Sequence, residues 1–132
     1  MDNSRFKFRV WNTEINKMIT NVKEMGVFAL QSIYSIDEFL VIPTNEKYPL
    51  MQYTGLKDKN GVEIYEGDIV KITQHFAYSN NESFNAIIDF EYFSFNAVLK
   101  SKGYETLDKL ISLNHEFEVI GNIYENRELL ND

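Results

Sequence analysis

Several clusters in this 132-residue chain carry residues that could do chemistry, and the spacing within each cluster decides what that chemistry would be. Gly55 and Gly61 are set apart somewhat like the glycines of a phosphate-binding loop. That loop needs a Lys and then a Ser or Thr directly after its second glycine, and Val62 stands there instead. Asp58-Lys-Asn60 opens like a calcium loop, but the turn glycine would fall on Glu63 and the bidentate Glu on Ile69. The same three residues suit an Asx-assisted hairpin turn, in which a short carboxylate side chain binds backbone N–H groups just ahead of it. His75 and His115 are the only imidazoles, and neither has a second ligand at the spacing that would put both on one side of a metal. Each is expected to be a satisfied loop histidine.

Carboxylates gather at Glu63, Glu66 and Asp68, at Asp89 and Glu91, and at Glu116 and Glu118, and a pair of them is what general acid–base work requires. Strand alternation accounts for them more simply. Residues two apart share a face, and charges on an exposed face or edge discourage sheet-to-sheet pairing. No Gly-x-Ser-x-Gly elbow offers a serine nucleophile. The reading is therefore of no catalytic residue, no cofactor site and no metal site. The aromatics Phe90, Tyr92, Phe93, Phe95, Tyr104, Phe117 and Tyr124 would suit a base-stacking platform, but such platforms also need a basic groove, and only Lys100 and Lys102 lie close to them in sequence. They are expected to pack a core.

The elements that position these residues are mostly short strands. Arg5 to Trp11 alternates strictly, with Phe6, Phe8 and Val10 on one face and Lys7, Arg9 and Trp11 on the other, as in a half-buried strand. Asn12-Thr13-Glu14 is a turn, and Lys17 to Val22 returns as a second strand or, read from Ile15, as a short amphipathic helix. Val27 to Val41 mixes both periods, and Asn45 to Pro49 is a connector bracketed by Pro43 and Pro49. Asn60-Gly61 between β-capable flanks predicts a hairpin with a type I′ turn, which needs positive φ at both residues. Glu66-Gly67-Asp68 predicts a second tight turn into the β-branched strand Ile69 to Ile72. His75 to Glu82 reads as a polar loop. Ala86 to Phe90 and Tyr92 to Leu99 read as aromatic strands, both of whose faces are expected to be apolar. Thr106 is a candidate cap for helical turns through Leu107, Leu110, Ile111 and Leu113. Phe117 to Tyr124 closes the sheet, with Gly121 marking a bulge or a close backbone approach, and Glu125 to Asp132 is a short helical or frayed tail.

Composition sets the class. Hydrophobic residues make up 44%, charged residues 25% and aromatics 14%, which excludes wholesale disorder, collagen and coiled coil. Thirteen Lys and Arg against twenty Asp and Glu give a net charge of −7, so the field that drives backbone-dominated nucleic-acid binding is missing globally. There is no cysteine, the start of the chain lacks the pattern of a secretory signal, and the most apolar runs, 39–42 and 86–88, are far shorter than the roughly 20 residues of a membrane span. A cytoplasmic protein is expected, mainly β with some helix, built as a small SH3-like barrel or sandwich in a single domain, 1–132, divisible into sub-lobes 1–48 and 49–132.

Three segments resemble the YopX family of phage and prophage proteins: Lys7-Phe-Arg-Val-Trp11, Leu50-Met-Gln-Tyr-Thr-Gly-Leu-Lys-Asp-Lys-Asn-Gly-Val-Glu-Ile-Tyr-Glu-Gly-Asp-Ile-Val70, and Phe117-Glu-Val-Ile-Gly-Asn-Ile-Tyr-Glu-Asn126. Asn12 stands where the family usually has Asp, and Arg127 where it often has Pro. The resemblance implies a phage or prophage origin in low-GC bacteria, a β-rich fold with small-barrel character, and no catalytic residues to carry over.

Two functions from different classes are compatible with this reading. One is a non-enzymatic binding or assembly module that presents a partner-specific surface on a rigid scaffold. The other is a nucleic-acid-associated regulatory protein using a local patch of Lys7, Arg9, Trp11, Lys57 and Lys59. Tyr53, Asp58 and Asn60 complete the candidate binding surface. The density of Ile87, Ile88, Phe90, Tyr92, Phe93 and Phe95 also predicts self-association, because a second apolar face must be covered.

Overall fold

In a computed structural model the residues described are 7–20, 49–74, 82–91, 94–99 and 103–130. The expectations for Val27 to Val41, for most of the connector that ends at Pro49, and for most of the loop from His75 lie outside them, as do Tyr92 and Phe93. The chain divides into two compact units, Met1–Tyr53 and Thr54–Asp132.

The first unit is an antiparallel arrangement of β1 (Phe8–Asn12), β2 (Lys17–Ile19) and the first half of β3 (Leu50–Lys57), with β1 in the middle. Val10 faces Ile19 on one side and Leu50 on the other. Asn12 ends β1 by accepting the Glu14 backbone N–H on its side-chain oxygen at 2.9 Å, and Asn16 adopts φ 52°, so the turn that the sequence placed here returns the chain as a strand rather than a helix. One expectation is corrected. The strand is not half-buried, because Arg9, Val10 and Trp11 are all buried in succession. Alternation records which face a residue occupies, and it cannot reveal that both faces are covered.

In the second unit the end of β3 pairs with β4 (Glu63–Tyr65), and Thr54 Oγ1 donates to the Ile64 carbonyl at 2.7 Å. Five further strands form an antiparallel sheet in the order β8-β7-β6-β5-β9: β5 (Asp68–Gln74), β6 (Glu82–Glu91), β7 (Ser94–Leu99), β8 (Gly103–Thr106) and β9 (Glu116–Asn122). Among the described residues one α-helix, α1 (Leu107–Ser112), follows β8, and a 3-10 turn spans Arg127–Leu130. The chain is β-rich with short helical turns, as its sequence pattern requires.

β5 is central because its residues are β-branched and neighboured on both sides. Ile69, Val70 and Ile72 are fully buried, and Ile72 lies opposite Phe84 on β6 and Phe117 on β9. Val70 and Ile72 join Ile64, Ala86, Ile88, Ala97, Leu107, Leu110 and Phe117 in one core, each large side chain stabilising the fold by about 1.5–3 kcal/mol. Thr106 caps α1 by accepting the Lys109 N–H, and the helix buries Leu107 and Leu110 while Ile111 and Leu113 stay exposed.

The described parts of this pair, β6 and β7, do not present two apolar faces. Ala86 and Ile88 share one face with Phe95 and Ala97, whereas the other mixes Ile87 and Val98 with Asn85, Asp89 and Asn96. Part of that second face meets the 3-10 turn, where Asn85 Nδ2 donates to the Leu129 carbonyl at 2.9 Å. At the far end of the hairpin the Phe90 and Phe95 rings meet edge to face, with centroids 4.8 Å apart, and Phe90 is exposed.

Candidate binding groove

The turn between β3 and β4 is built on Asp58. Its Oδ1 accepts the backbone N–H groups of Asn60 at 2.8 Å and Val62 at 2.9 Å, and its Oδ2 accepts that of Val119 on β9 at 2.9 Å. Its own N–H donates to the Val62 carbonyl, and its carbonyl accepts from Gly61. The hairpin is where Asn60-Gly61 predicted it, but the turn is not type I′. Gly61 has φ 82° while Asn60 is not at positive φ, so the carboxylate organises a wider loop in place of two left-handed residues. Burial alone would raise the Asp58 pKa. The N–H groups of Val119, Val62 and Asn60, with the nearby charge of Lys59, outweigh it and hold the carboxyl below the ordinary carboxylate value.

Asp58 and Lys59 also finish an edge of the sheet. β9 pairs with β5 on one side, and on its other side the Phe117 carbonyl accepts the Lys59 N–H at 3.0 Å while the Val119 N–H reaches Asp58. Two backbone groups that would otherwise invite another strand are thereby satisfied. Lys59 Nζ lies 3.5 Å from Glu118, a half-exposed pair worth under about 1 kcal/mol.

Beneath this turn lies a cavity of about 360 Å³. Leu56, Ile64, Leu107 and Phe117 give it apolar walls, and Lys57, Lys59, Ile111, His115 and Glu116 also line it. Three separate chain segments supply these residues, which is why the sequence did not announce the groove. Its only local signal was Lys57-Asp58-Lys59, whereas Leu107, Ile111 and Phe117 read as helix or core positions. His115 is not the satisfied histidine that was expected: its Nδ1 is buried and has no hydrogen-bond partner among the described residues.

The other candidate surface residues fall in the first unit. Lys7 Nζ sits 5.5 Å from the centre of the Tyr53 ring, within cation–π range. Arg9 and Trp11 are buried, as are Tyr53 and Asp58. Lys57, Lys59 and Asn60 are exposed.

Among the described residues there is no group of three or more His, Asp or Glu side chains placed to hold a metal ion, and no helix is long and apolar enough to cross a membrane. The family described as YopX protein matches residues 7–131. The structure of protein EF1440 from Enterococcus faecalis is similar, with a TM-score of 0.57 and 26% identity over 94% of this chain and 96% of that one. A search of curated proteins finds no match.

Proposed function

The chain belongs to the YopX protein family, and from that premise we propose that it is a phage- or prophage-encoded accessory protein of the bacterial cytoplasm that acts as a non-enzymatic binding module through the groove beside Asp58. The observation that carries this reading is the groove itself. Apolar walls of Leu56, Ile64, Leu107 and Phe117 lie beneath a turn whose Asp58 carboxylate accepts two N–H groups of the turn itself and one of β9. A concave apolar surface with a few charged groups at its rim is the usual form of a binding site. The similar Enterococcus faecalis protein supports a bacterial setting.

The test uses the tagged full-length chain in induced host cells, beside an Ile111→Arg variant. Ile111 is 41% exposed, so the substitution alters the rim and leaves the core intact. A specific partner recovered with the wild type and lost with the variant, at unchanged circular dichroism and Tm, is the expected outcome. Equal recovery with both proteins would remove the groove from the contact surface.

A further inference from the structure

We infer that Asn60 is a site of spontaneous covalent modification, where the side chain closes onto the Gly61 nitrogen and the turn between β3 and β4 becomes a mixture of aspartate and iso-aspartate. The inference is independent of what the groove binds. Asn60-Gly61 is the only Asn-Gly pair in the chain. Ring closure needs the side-chain amide carbon to meet the backbone nitrogen of the next residue, and glycine permits this best because it has no Cβ and the widest backbone freedom. Both residues are exposed, so water and hydroxide reach them. The Asn60 side-chain amide makes no hydrogen bond among the described residues; only its backbone N–H is engaged, with Asp58. Space is open on the other side of the reaction as well, since a Cβ built on Gly61 would meet no atom within 4 Å.

In the reaction the Gly61 amide gives its proton to hydroxide, and its nitrogen bonds to the Asn60 side-chain carbonyl carbon. The bond from that carbon to Nδ2 breaks, and the nitrogen leaves as ammonia after taking a proton from water. Water then opens the five-membered imide. Opening at the side-chain carbonyl leaves aspartate; opening at the main-chain carbonyl leaves iso-aspartate, in which the backbone runs through the former side chain and is one carbon longer. What restrains the reaction is one hydrogen bond, from the Gly61 N–H to the Asp58 carbonyl at 3.0 Å, and the turn must open there before the nitrogen can attack. The consequence falls on Asp58. An extra carbon between residues 60 and 61 displaces the Gly61 and Val62 N–H groups from the Asp58 carbonyl and carboxylate that now hold them, and a new negative charge stands two residues from that carboxylate. The iso-aspartate form therefore has a looser turn.

The experiment incubates the full-length chain in mildly alkaline buffer beside a capped peptide of residues 57–63, and follows both by peptide-mapping mass spectrometry and anion exchange. The folded chain is expected to exchange one NH₂ for OH at Asn60 and to gain one negative charge, at a rate within about tenfold of the free peptide, the factor by which a single hydrogen bond can favour the closed turn. Asn60→Gln should abolish the change, because its longer side chain closes a six-membered ring far more slowly. Asp58→Ala, which removes the carboxylate that organises the turn, should bring the rate up toward that of the peptide. In the iso-aspartate fraction, amide exchange at Val62 should be faster than in the fresh protein. An Asn60 that stays intact in the folded chain after the peptide has fully converted overturns the inference. The same charge gain in Asn60→Gln would place the reaction elsewhere and overturn it too. Unchanged exchange at Val62 in the iso-aspartate fraction would overturn the loosening of the turn.

Discussion

The Asp58 carboxylate accepts the Val119 backbone N–H at 2.9 Å across 61 residues of sequence. A side chain in a turn thus takes the place of a strand neighbour for β9. The same carboxylate closes the turn through Asn60 and Val62, so one residue fixes both the shape of the hairpin and its attachment to the sheet.

Asp58→Ala should accordingly destabilise the protein by about 3 kcal/mol, because three N–H groups lose a charged acceptor at a largely buried position. For a chain of this size that corresponds to a fall in Tm of about 10 °C. Amide exchange at Asn60, Val62 and Val119 should accelerate together. A Tm within 2 °C of wild type would show that the hairpin and β9 hold together without the carboxylate.

The pH dependence follows from two carboxyls that are shifted in opposite directions. The Asp58 pKa is lowered on folding, so its contribution is fully present above the ordinary value of 3.8 and is lost as pH falls through the lower folded value. The Asp89 pKa is raised, first by burial and further by the charge of Glu91, with the Asn96 hydrogen bond opposing them. Its ionisation therefore costs stability as pH rises from 3.8 through the raised value, and the cost persists at neutral pH. Asp89→Asn should raise Tm at pH 7 and lose that advantage near pH 4. The Asp58→Ala deficit should be constant from pH 5 to 8 and shrink below about pH 3.8. Thermal melts of the three proteins across pH 3–8 check both, and parallel curves would remove these carboxyls from the acid response.

Gly121 lies at the register shift of β9, with Ile69 opposite Gly121 and Val70 opposite Val119, so Ile120 is the extra residue of a bulge. A Cβ at this position would lie 2.5 Å from Asn126 Oδ1 and 2.7 Å from Asn126 Cβ. Asn126 cannot easily yield, because its Oδ1 accepts the Asn122 N–H at 3.2 Å and its own N–H donates to the Asn122 carbonyl. Gly121→Ala should cost about 2 kcal/mol through this overlap, and Asn126→Gly in the same chain should recover part of it. If the double variant melts below both single variants, close approach is not the reason for the glycine.

Features encoded by neighbouring residues were legible in the sequence. These include the turn at Gly67, whose φ is 82°, the Thr106 cap, the bulge at Gly121, and the buried run of β5. Local chemistry sufficed because each feature depends on a residue and its immediate neighbours. The type I′ turn was misread for the complementary reason: the sequence showed Asn60-Gly61, but what decides the turn is a carboxylate held from the other side by Val119. The groove was hidden in the same way, since Lys57, Leu107 and Phe117 meet only in the folded chain.

Asn96 is expected to be the least replaceable polar residue of the β6–β7 hairpin. It is 1% exposed, and its side-chain amide donates toward Asp89 Oδ1 at 3.3 Å and the carbonyls of Glu91 and Ser94 at 3.2 Å each, while its Oδ1 partners the Ser94 hydroxyl at 3.1 Å. Asn96→Asp keeps the shape, removes the donors and sets a second carboxylate against Asp89. Two close carboxylates cannot both ionise cheaply in a buried site, so one of the pair should titrate well above the ordinary range. The folded state then binds more protons than the unfolded chain between those values, and stability falls as pH rises. The variant should lose about 3 kcal/mol at pH 7 and recover much of it by pH 4–5, while Asn96→Ala should be destabilised at both. Denaturant melts at the two pH values separate these cases. A pH-independent deficit in Asn96→Asp would show that the lost donors, and not the apposed charges, set the cost.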